Sequence, residues 1–424
     1  MTGSTAGPTR AASTRCVTEA VRIRAIATGG DGVGTLSDGR TVFVPRSVPG
    51  DLVVLGQVRL ARRFARGRVT RLLEAASERV TPRCPHYDAD DCGSCQLQHL
   101  SSEAQRAARR RLVGDALRRI GHLDADDPPL EPSGAEWEYR TKITLAARGG
   151  RIGYHRLGQP GKVFELHQCS IARPELNRLW HALQAQRRLL PRDLDQLVLR
   201  EDRSGGCHAI IRTSGGDAWT QGKQLGQLLA REGLSVVLWW EPAKGAARTV
   251  YGAREAYPVM VFEQVHPAMG DRARSYAVQE LGELRGRQVW DLYAGIGETT
   301  RAMVALGATV ESVEADPRAV RIAEQEGPAT GVTRHVGKVE VLLPRLKPAD
   351  LAVLNPPRSG LAEEVTVRLS DVPTSRLVYI SCDPATLARD LSRLAAAYSI
   401  QSVRAFDLFP QTAHVETVVR LERR

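Results

Sequence analysis

From about residue 270 the chain alternates short apolar runs with amphipathic stretches. "QVWDLYA", "TVESVEA", "LAVLNPP", "RLVYISC" and "VETVVRLE" have the length and apolar character of strands. "TTRAMVALG" and "RAVRIAEQEG" between them read as helices. Strand alternating with helix predicts a mostly parallel, doubly wound sheet. Ligands of such sheets bind at the carboxyl ends of the strands. Gly295, Glu314, Asn355 and Cys382 each stand near such an end.

The first quarter has another rhythm. "VRIRAIA" alternates apolar and charged residues, "GGDGVGTL" is a Gly-rich turn, and "SDGR" is a hairpin signal before "TVFVP". "LVVLGQVRL" and "FARGRVTRLL" supply two more strands, and together these predict a small OB-like barrel over residues 16–75. Arg59, Arg62, Arg63, Arg66, Arg68 and Arg71 cluster on its last hairpin. Residues 101–121 predict a helix, with Ser at its start and Gly after its end. "DADDPPLEPSG" reads as a linker. Residues 139–255 mix hairpins with helices near 172–189 and 220–232.

The expected fold class is therefore multidomain. A disordered tail (1–15) precedes the OB-like barrel (16–75). A central α+β domain (76–262) leads to a C-terminal α/β, Rossmann-like domain (263–424), onto which helix 101–121 is free to pack.

Length supports this division, since 424 residues exceed one ordinary core. The longest apolar run, "LSVVLWW", is far too short to span a membrane. The N-terminus lacks the apolar segment of a secretory signal, so a cytoplasmic location is expected. A net charge of +11 favours a polyanionic partner, nucleic acid above all.

Seven cysteines in so long a chain exclude a disulfide scaffold. Cys84, Cys92 and Cys95 form a C-x7-C-x2-C cluster, with Cys169 as a distant fourth. That spacing permits structural zinc or an iron–sulfur cluster. Cys16 and Cys207 read as ordinary thiols.

"DLYAGIGETT" places Gly295 and Gly297 where a strand turns into a helix, allowing close approach of a ligand to backbone. The third Gly of the dinucleotide fingerprint is missing, which disfavours a nicotinamide cofactor. Glu314, at the end of the next strand, is placed to accept hydrogen bonds from ribose hydroxyls. S-adenosylmethionine suits this loop because it has no pyrophosphate. "LNPPRSGL" stiffens a loop that presents Asn355 and Arg358. A lone cysteine is commonly a small buried hydrophobe, yet Cys382 lies in the cofactor cleft, and "FDLFPQTAHVET" brings His414 and Glu416.

"NPPRSG", "LVYISCDPAT" and "FDLFPQTAHVE" resemble the signatures of the RNA (uracil-5-)-methyltransferases. "GGDGVGTLSDGRTVFVPRSVPGDLV" resembles the TRAM domain that many members carry. "CPHYDADDCGSCQLQHL", with "HQCSIARPELN", resembles their [4Fe–4S] site. "YRTK" and "FEQVHP" fall where the family has related motifs. The resemblance runs from about residue 17 to the end.

It implies S-adenosylmethionine-dependent methylation of a uridine at carbon 5. Cys382 would be the nucleophile adding to carbon 6, and Glu416 the base removing the carbon-5 proton. Gln264, Tyr293, Glu314 and Asn355, with Gly295, Gly297 and Glu298 of the loop, would bind the cofactor. Cys84, Cys92, Cys95 and Cys169 would hold the [4Fe–4S] cluster. A TRAM domain with a cluster favours a 23S ribosomal RNA uridine over the tRNA T-loop uridine, in a monomeric enzyme. The rival is a non-catalytic RNA-binding or chaperone protein of the same fold. Glu298 and His266 stand where the family commonly has Asn, Asn355 where it has Asp, and Asp383 where it has Asn. Arg358 is the candidate for stabilising the Cys382 thiolate.

Overall fold

A computed structural model describes residues 14–15, 19–253 and 261–424. Cys16 and nearly all of the expected tail lie outside the described residues. The chain forms two compact units. The first comprises Met1–Arg83, Cys95–Ala108 and Gln411–Ala413; the second comprises Cys84–Ser94, Arg109–Pro410 and His414–Arg424.

The first unit is built on a seven-stranded sheet whose core holds Val21, Ile23, Leu36, Val42, Val44, Val53, Leu55, Val58 and Ala65. Its long hairpin, Leu52–Leu60 against Phe64–Glu74, is antiparallel with three register shifts. Such irregularities bend and twist a strand pair. Alternation sends Val53, Leu55 and Val58 inward, while Arg59, Arg62, Arg63, Arg66 and Arg71 are exposed. The Arg66 guanidinium lies 5.8 Å from the centroid of the Phe43 ring. Phe43 in turn meets the exposed ring of Phe64 edge-on at 5.9 Å.

The second unit holds two sheets. The smaller has six strands. One of its faces, with Leu145, Leu197, Leu199, Ala209, Ile211, Leu238 and Trp240 buried, is covered by helices Pro174–Ala185 and Gly222–Arg231. The larger has eight strands. Gln288–Leu292, Thr309–Glu314, Val332–Val336, Leu351–Leu354 and Arg376–Ser381 are parallel; Glu416–Arg423 is antiparallel between Arg376–Ser381 and Tyr398–Phe406.

Successive residues of these strands point to opposite faces, and both faces are apolar, as a covered parallel sheet requires. Val289, Val310, Val353 and Val378 pack on helices Pro267–Leu281 and Glu298–Ala305. Trp290, Leu292, Leu354, Leu377 and Tyr379 pack on the other side, with Leu387 and Leu391 of helix Pro384–Leu394 and with Val113 and Leu117 of helix Ser102–Arg119. Truncating a fully buried leucine in such a layer costs about 2–5 kcal/mol. An ion pair of two buried groups, Arg109 and Asp407 (2.9 Å), ties that last helix to the end of strand Tyr398–Phe406.

The region read as a linker contributes to the fold. Leu130–Glu131 pairs with Ala405–Phe406 as the eighth strand. Edge pairing of two residues needs only backbone donors and acceptors, so no side-chain pattern announced it.

Candidate active site

Four strand ends of the large sheet bring the predicted residues to one edge. Strand Gln288–Leu292 ends at Tyr293, which adopts a left-handed backbone (φ 64°). That conformation costs a non-glycine residue about 1 kcal/mol or more. Gly295 (φ 57°) and Gly297 (φ 75°) continue the turn without that cost, and helix Glu298–Ala305 starts from it. Glu314 closes the turn, its two oxygens accepting from the N–H groups of Gly295 (2.9 Å) and Asp316 (2.8 Å).

Beneath this turn lies a group that the sequence reading missed. Asp291 is buried in mid-strand and accepts from the Thr300 hydroxyl at 2.5 Å. Burial raises its carboxyl to about 7 against that hydrogen bond, and the Glu314 charge adds to the rise. A carboxyl inside an apolar strand was itself the available signal, since such a group is buried only for a reason.

Glu298 does not point alone toward a ligand space. Arg203 pairs with its carboxylate, Arg274 approaches it at 3.1 Å, and both arginines also pair with Asp271. Gln264 is half-buried next to Gly270 of helix Pro267–Leu281. His266 precedes that helix, buried, stacked on Tyr139 at 4.8 Å and 2.9 Å from the Ser133 hydroxyl. Burial holds its imidazole down at about 4.

Asn355 follows strand Leu351–Leu354, its N–H donating to the Leu292 carbonyl at 3.1 Å. Cys382 follows strand Arg376–Ser381, half-buried, one residue before Asp383 caps helix Pro384–Leu394. The Asp383 carboxylate accepts from the Ala385 (3.0 Å) and Thr386 (2.9 Å) amides. An asparagine oxygen could do the same, so this departure from the family pattern is benign for the cap.

Burial pushes the Cys382 thiol up, and the Glu416 charge pushes it further. The positive charge of Arg358, close to the sulfur, pulls it back. Glu416 is 1 % exposed, and burial raises its carboxyl to about 7 in spite of Arg274 and Arg358. One of its oxygens, Oε2, has no hydrogen-bond partner among the described residues. His414 is exposed, its ring edge-on to Phe409 at 5.9 Å. A thiol, a base with a free oxygen and a guanidinium thus share one strand edge with a glycine turn. A nucleophile beside a base of elevated pKa suits covalent addition followed by proton removal.

Comparison with known proteins bears on this arrangement. Residues 340–424 match the family model described as tRNA (Uracil-5-)-methyltransferase. An RNA methyltransferase of Thermosynechococcus vestitus is 31% identical, over 95% of this chain and 97% of that protein. The 23S rRNA (uracil(1939)-C(5))-methyltransferase of Halomonas elongata is 32% identical, over 94% and 88%. This chain belongs to the RNA (uracil-5-)-methyltransferase family. Its fold is that of the Pyrococcus abyssi tRNA (uracil-54, C5)-methyltransferase, whose structure holds S-adenosyl-L-homocysteine. The TM-score is 0.71 at 22% identity, covering 95% of this chain and 100% of the other.

Among the family-implied cluster ligands, Cys84, Cys92, Cys95 and Cys169 are all buried. In the second unit, burial raises the Cys92 thiol to about 11, with Cys169 and Cys84 adding to the rise; Cys169 is raised likewise. The Tyr154 hydroxyl lies 3.8 Å from the Cys169 sulfur. Among the described residues, no group of three or more His, Cys, Asp or Glu is arranged to hold a single metal ion. Cys207 is a buried thiol, raised to about 11 by burial.

Proposed function

We propose that the protein methylates carbon 5 of a uridine in RNA, with S-adenosylmethionine as methyl donor and a covalent Cys382 adduct as intermediate. The observation that carries this reading is Cys382 within reach of the Arg358 and Glu416 charges, at the strand edge that also bears the Gly295–Gly297 turn.

The cofactor's fit rests on that turn. Gly295 and Gly297 leave no side chain over it, and each Glu314 oxygen spends one acceptor site on a backbone amide, keeping another for a ribose hydroxyl. S-adenosylmethionine held there would supply an electrophilic methyl group. The chain's own residues do the rest. Cys382, as thiolate, adds to carbon 6 of uracil and makes carbon 5 nucleophilic. Arg358 stabilises the thiolate charge. Once carbon 5 carries both methyl and hydrogen, the free Oε2 of Glu416 takes that proton, and the electron pair left behind expels the sulfur. The uridine must leave its stack to reach this edge, at a cost of a few kcal/mol. The exposed arginines of the first unit, with the Phe43–Phe64 pair, suit phosphate contact and base stacking. Residues 16–75, within that unit, are read as a TRAM domain of the OB type.

Ribosomal RNA is the proposed target, in line with the function named for the Halomonas elongata relative. Incubation of the purified protein with unmodified 23S rRNA and methyl-labelled cofactor is expected to yield one 5-methyluridine. Methyl transfer to any other atom, or none to any RNA, would overturn the reading; transfer to tRNA alone would move the target.

We further propose a [4Fe–4S] cluster with Cys84, Cys92 and Cys169 among its ligands. These thiols are buried and free of disulfides, and a metal cluster would take them as thiolates. Anaerobically purified protein is expected to be brown with about four irons per chain. Cys169→Ser should lose most of that iron and absorbance; an equal iron content would refute the assignment.

A further inference from the structure

The loop that carries Arg358 is sewn to the helix that follows Cys382, and one buried carboxylate does most of the sewing. Asp390, on helix Pro384–Leu394, is fully buried. Its Oδ2 accepts from the Leu361 amide at 2.8 Å and from the Tyr379 hydroxyl at 2.9 Å. Its Oδ1 is held by the neighbouring Arg389, through Nε at 2.9 Å and Nη2 at 2.8 Å.

Arg389 does not stop there. Its Nη2 also donates to the Ser359 carbonyl at 2.9 Å and, more weakly, to the Leu361 carbonyl at 3.3 Å. Thr386 of the same helix donates to the Arg358 carbonyl at 3.2 Å. Contact is so close at Gly360 (φ 74°) that a Cβ would stand 2.4 Å from Asp390 Oδ2 and 2.6 Å from Arg389 Nη2. The backbone from Arg358 to Leu361 is thus bonded at each residue or pressed against the pair. The Arg358 side chain itself is long and exposed. Without a fixed base, its guanidinium would pay the entropy of ordering each time it met the sulfur.

We propose that Asp390 is a positioning residue for the nucleophile: with Arg389 and Tyr379 it clamps loop 355–361 to the helix behind Cys382 and so keeps Arg358 beside the sulfur. The inference rests on the reading of Cys382 as nucleophile, yet it is tested without RNA. Buried ion pairs add little net stability compared with apolar replacements, so a stability role alone gives no reason for this carboxylate to grip one short loop.

The test is the pH profile of Cys382 alkylation by iodoacetamide, read on its own peptide by mass spectrometry. Arg358→Ala is expected to move the midpoint up by about one pH unit, a tenfold slowing on the acid side. Asp390→Asn should produce a similar shift, and the double variant Arg358→Ala/Asp390→Asn should add nothing further. A native profile for Asp390→Asn, or shifts that add, would overturn the clamp, whatever happens to turnover or melting temperature. Should Asp390→Asn fail to fold, the half-exposed Arg389 carries the test: Arg389→Ala is expected to shift the midpoint in the same direction, and an unchanged midpoint sinks the proposal. The functional reading fails by a separate sign, if native protein forms no covalent complex with 5-fluorouridine RNA.

Discussion

Cys382→Ala protein is expected to bind RNA and cofactor normally and to transfer methyl groups more slowly than native protein by four orders of magnitude or more. The size follows from what the sulfur does. Carbon 5 of uracil is too poor a nucleophile to attack a sulfonium methyl unaided, and only addition at carbon 6 makes it an enolate. Removing the nucleophile of a covalent mechanism removes the whole pathway rather than one contact, with losses of roughly 10⁴–10⁶ in comparable enzymes. Cys382 stands outside the buried core, so the substitution should leave the melting temperature within about a degree or two. Single-turnover transfer of labelled methyl, with filter binding of RNA in parallel, measures both halves. A variant that methylates at a tenth of the native rate would show that carbon 5 is activated by some other group.

The native thiol adds a pH signature. Burial and the Glu416 charge lift it above its ordinary value, and Arg358 only partly compensates. Methyl transfer should therefore still be rising with pH above neutrality.

The strand edge was legible in the sequence because parallel strands buried on both faces are written as continuous apolar runs. "LAVLNPP" and "RLVYISC" end where the chemistry begins, and the structure ends them at Leu354 and Ser381. Tyr398–Phe406 and Val332–Val336 were harder to see. Their buried and half-exposed residues do not alternate strictly, and "YSIQSVRAF" and "VTRHV" carry too many polar residues to read as core. The short strand at Leu130–Glu131 had no pattern at all.

The site divides in the same way. Cys382, Glu416 and the glycine turn are local motifs. Arg274, Arg389 and Asp390 are ordinary helix residues in the sequence; only the fold turns Arg274 toward Glu298 and places Asp390 under the Leu361 amide. Glu298 read as a cofactor residue departing from the family's usual Asn; its arginine partners, Arg203 and Arg274, come from elements distant in the chain. Charge pairing across such separations leaves no sequence signature.

Glu416→Gln should fail at the other end of the reaction. Addition and methyl transfer need only the thiolate and the donor, so one methyl per enzyme should still be transferred. The proton on carbon 5 would then have no base. The sulfur could not be expelled, and a methylated protein–RNA adduct should accumulate that survives denaturing electrophoresis. Steady-state turnover should fall by roughly 10²–10⁴, the usual worth of a positioned base. An absence of adduct, with turnover near native, would assign proton removal to another group.

The same substitution carries a stability effect whose sign follows from burial. The carboxyl of Glu416 titrates near 4.5 when ordinary and near 7 in the folded protein. Between those values the folded state keeps a proton that the unfolded chain has released. Stability therefore falls as pH rises through that window, by about 3 kcal/mol at its upper end. Glutamine bears no such charge. Glu416→Gln should match native stability at pH 4.5 and exceed it at pH 8, read as a melting temperature that rises relative to native across that range. Asp291, also raised to about 7 by burial, contributes a penalty of the same sign that the substitution leaves in place. A Glu416→Gln protein that melts below native at pH 8 would mean that the buried carboxylate is better compensated by Arg274 and Arg358 than its free oxygen implies, and that the base needs no elevated pKa to do its work.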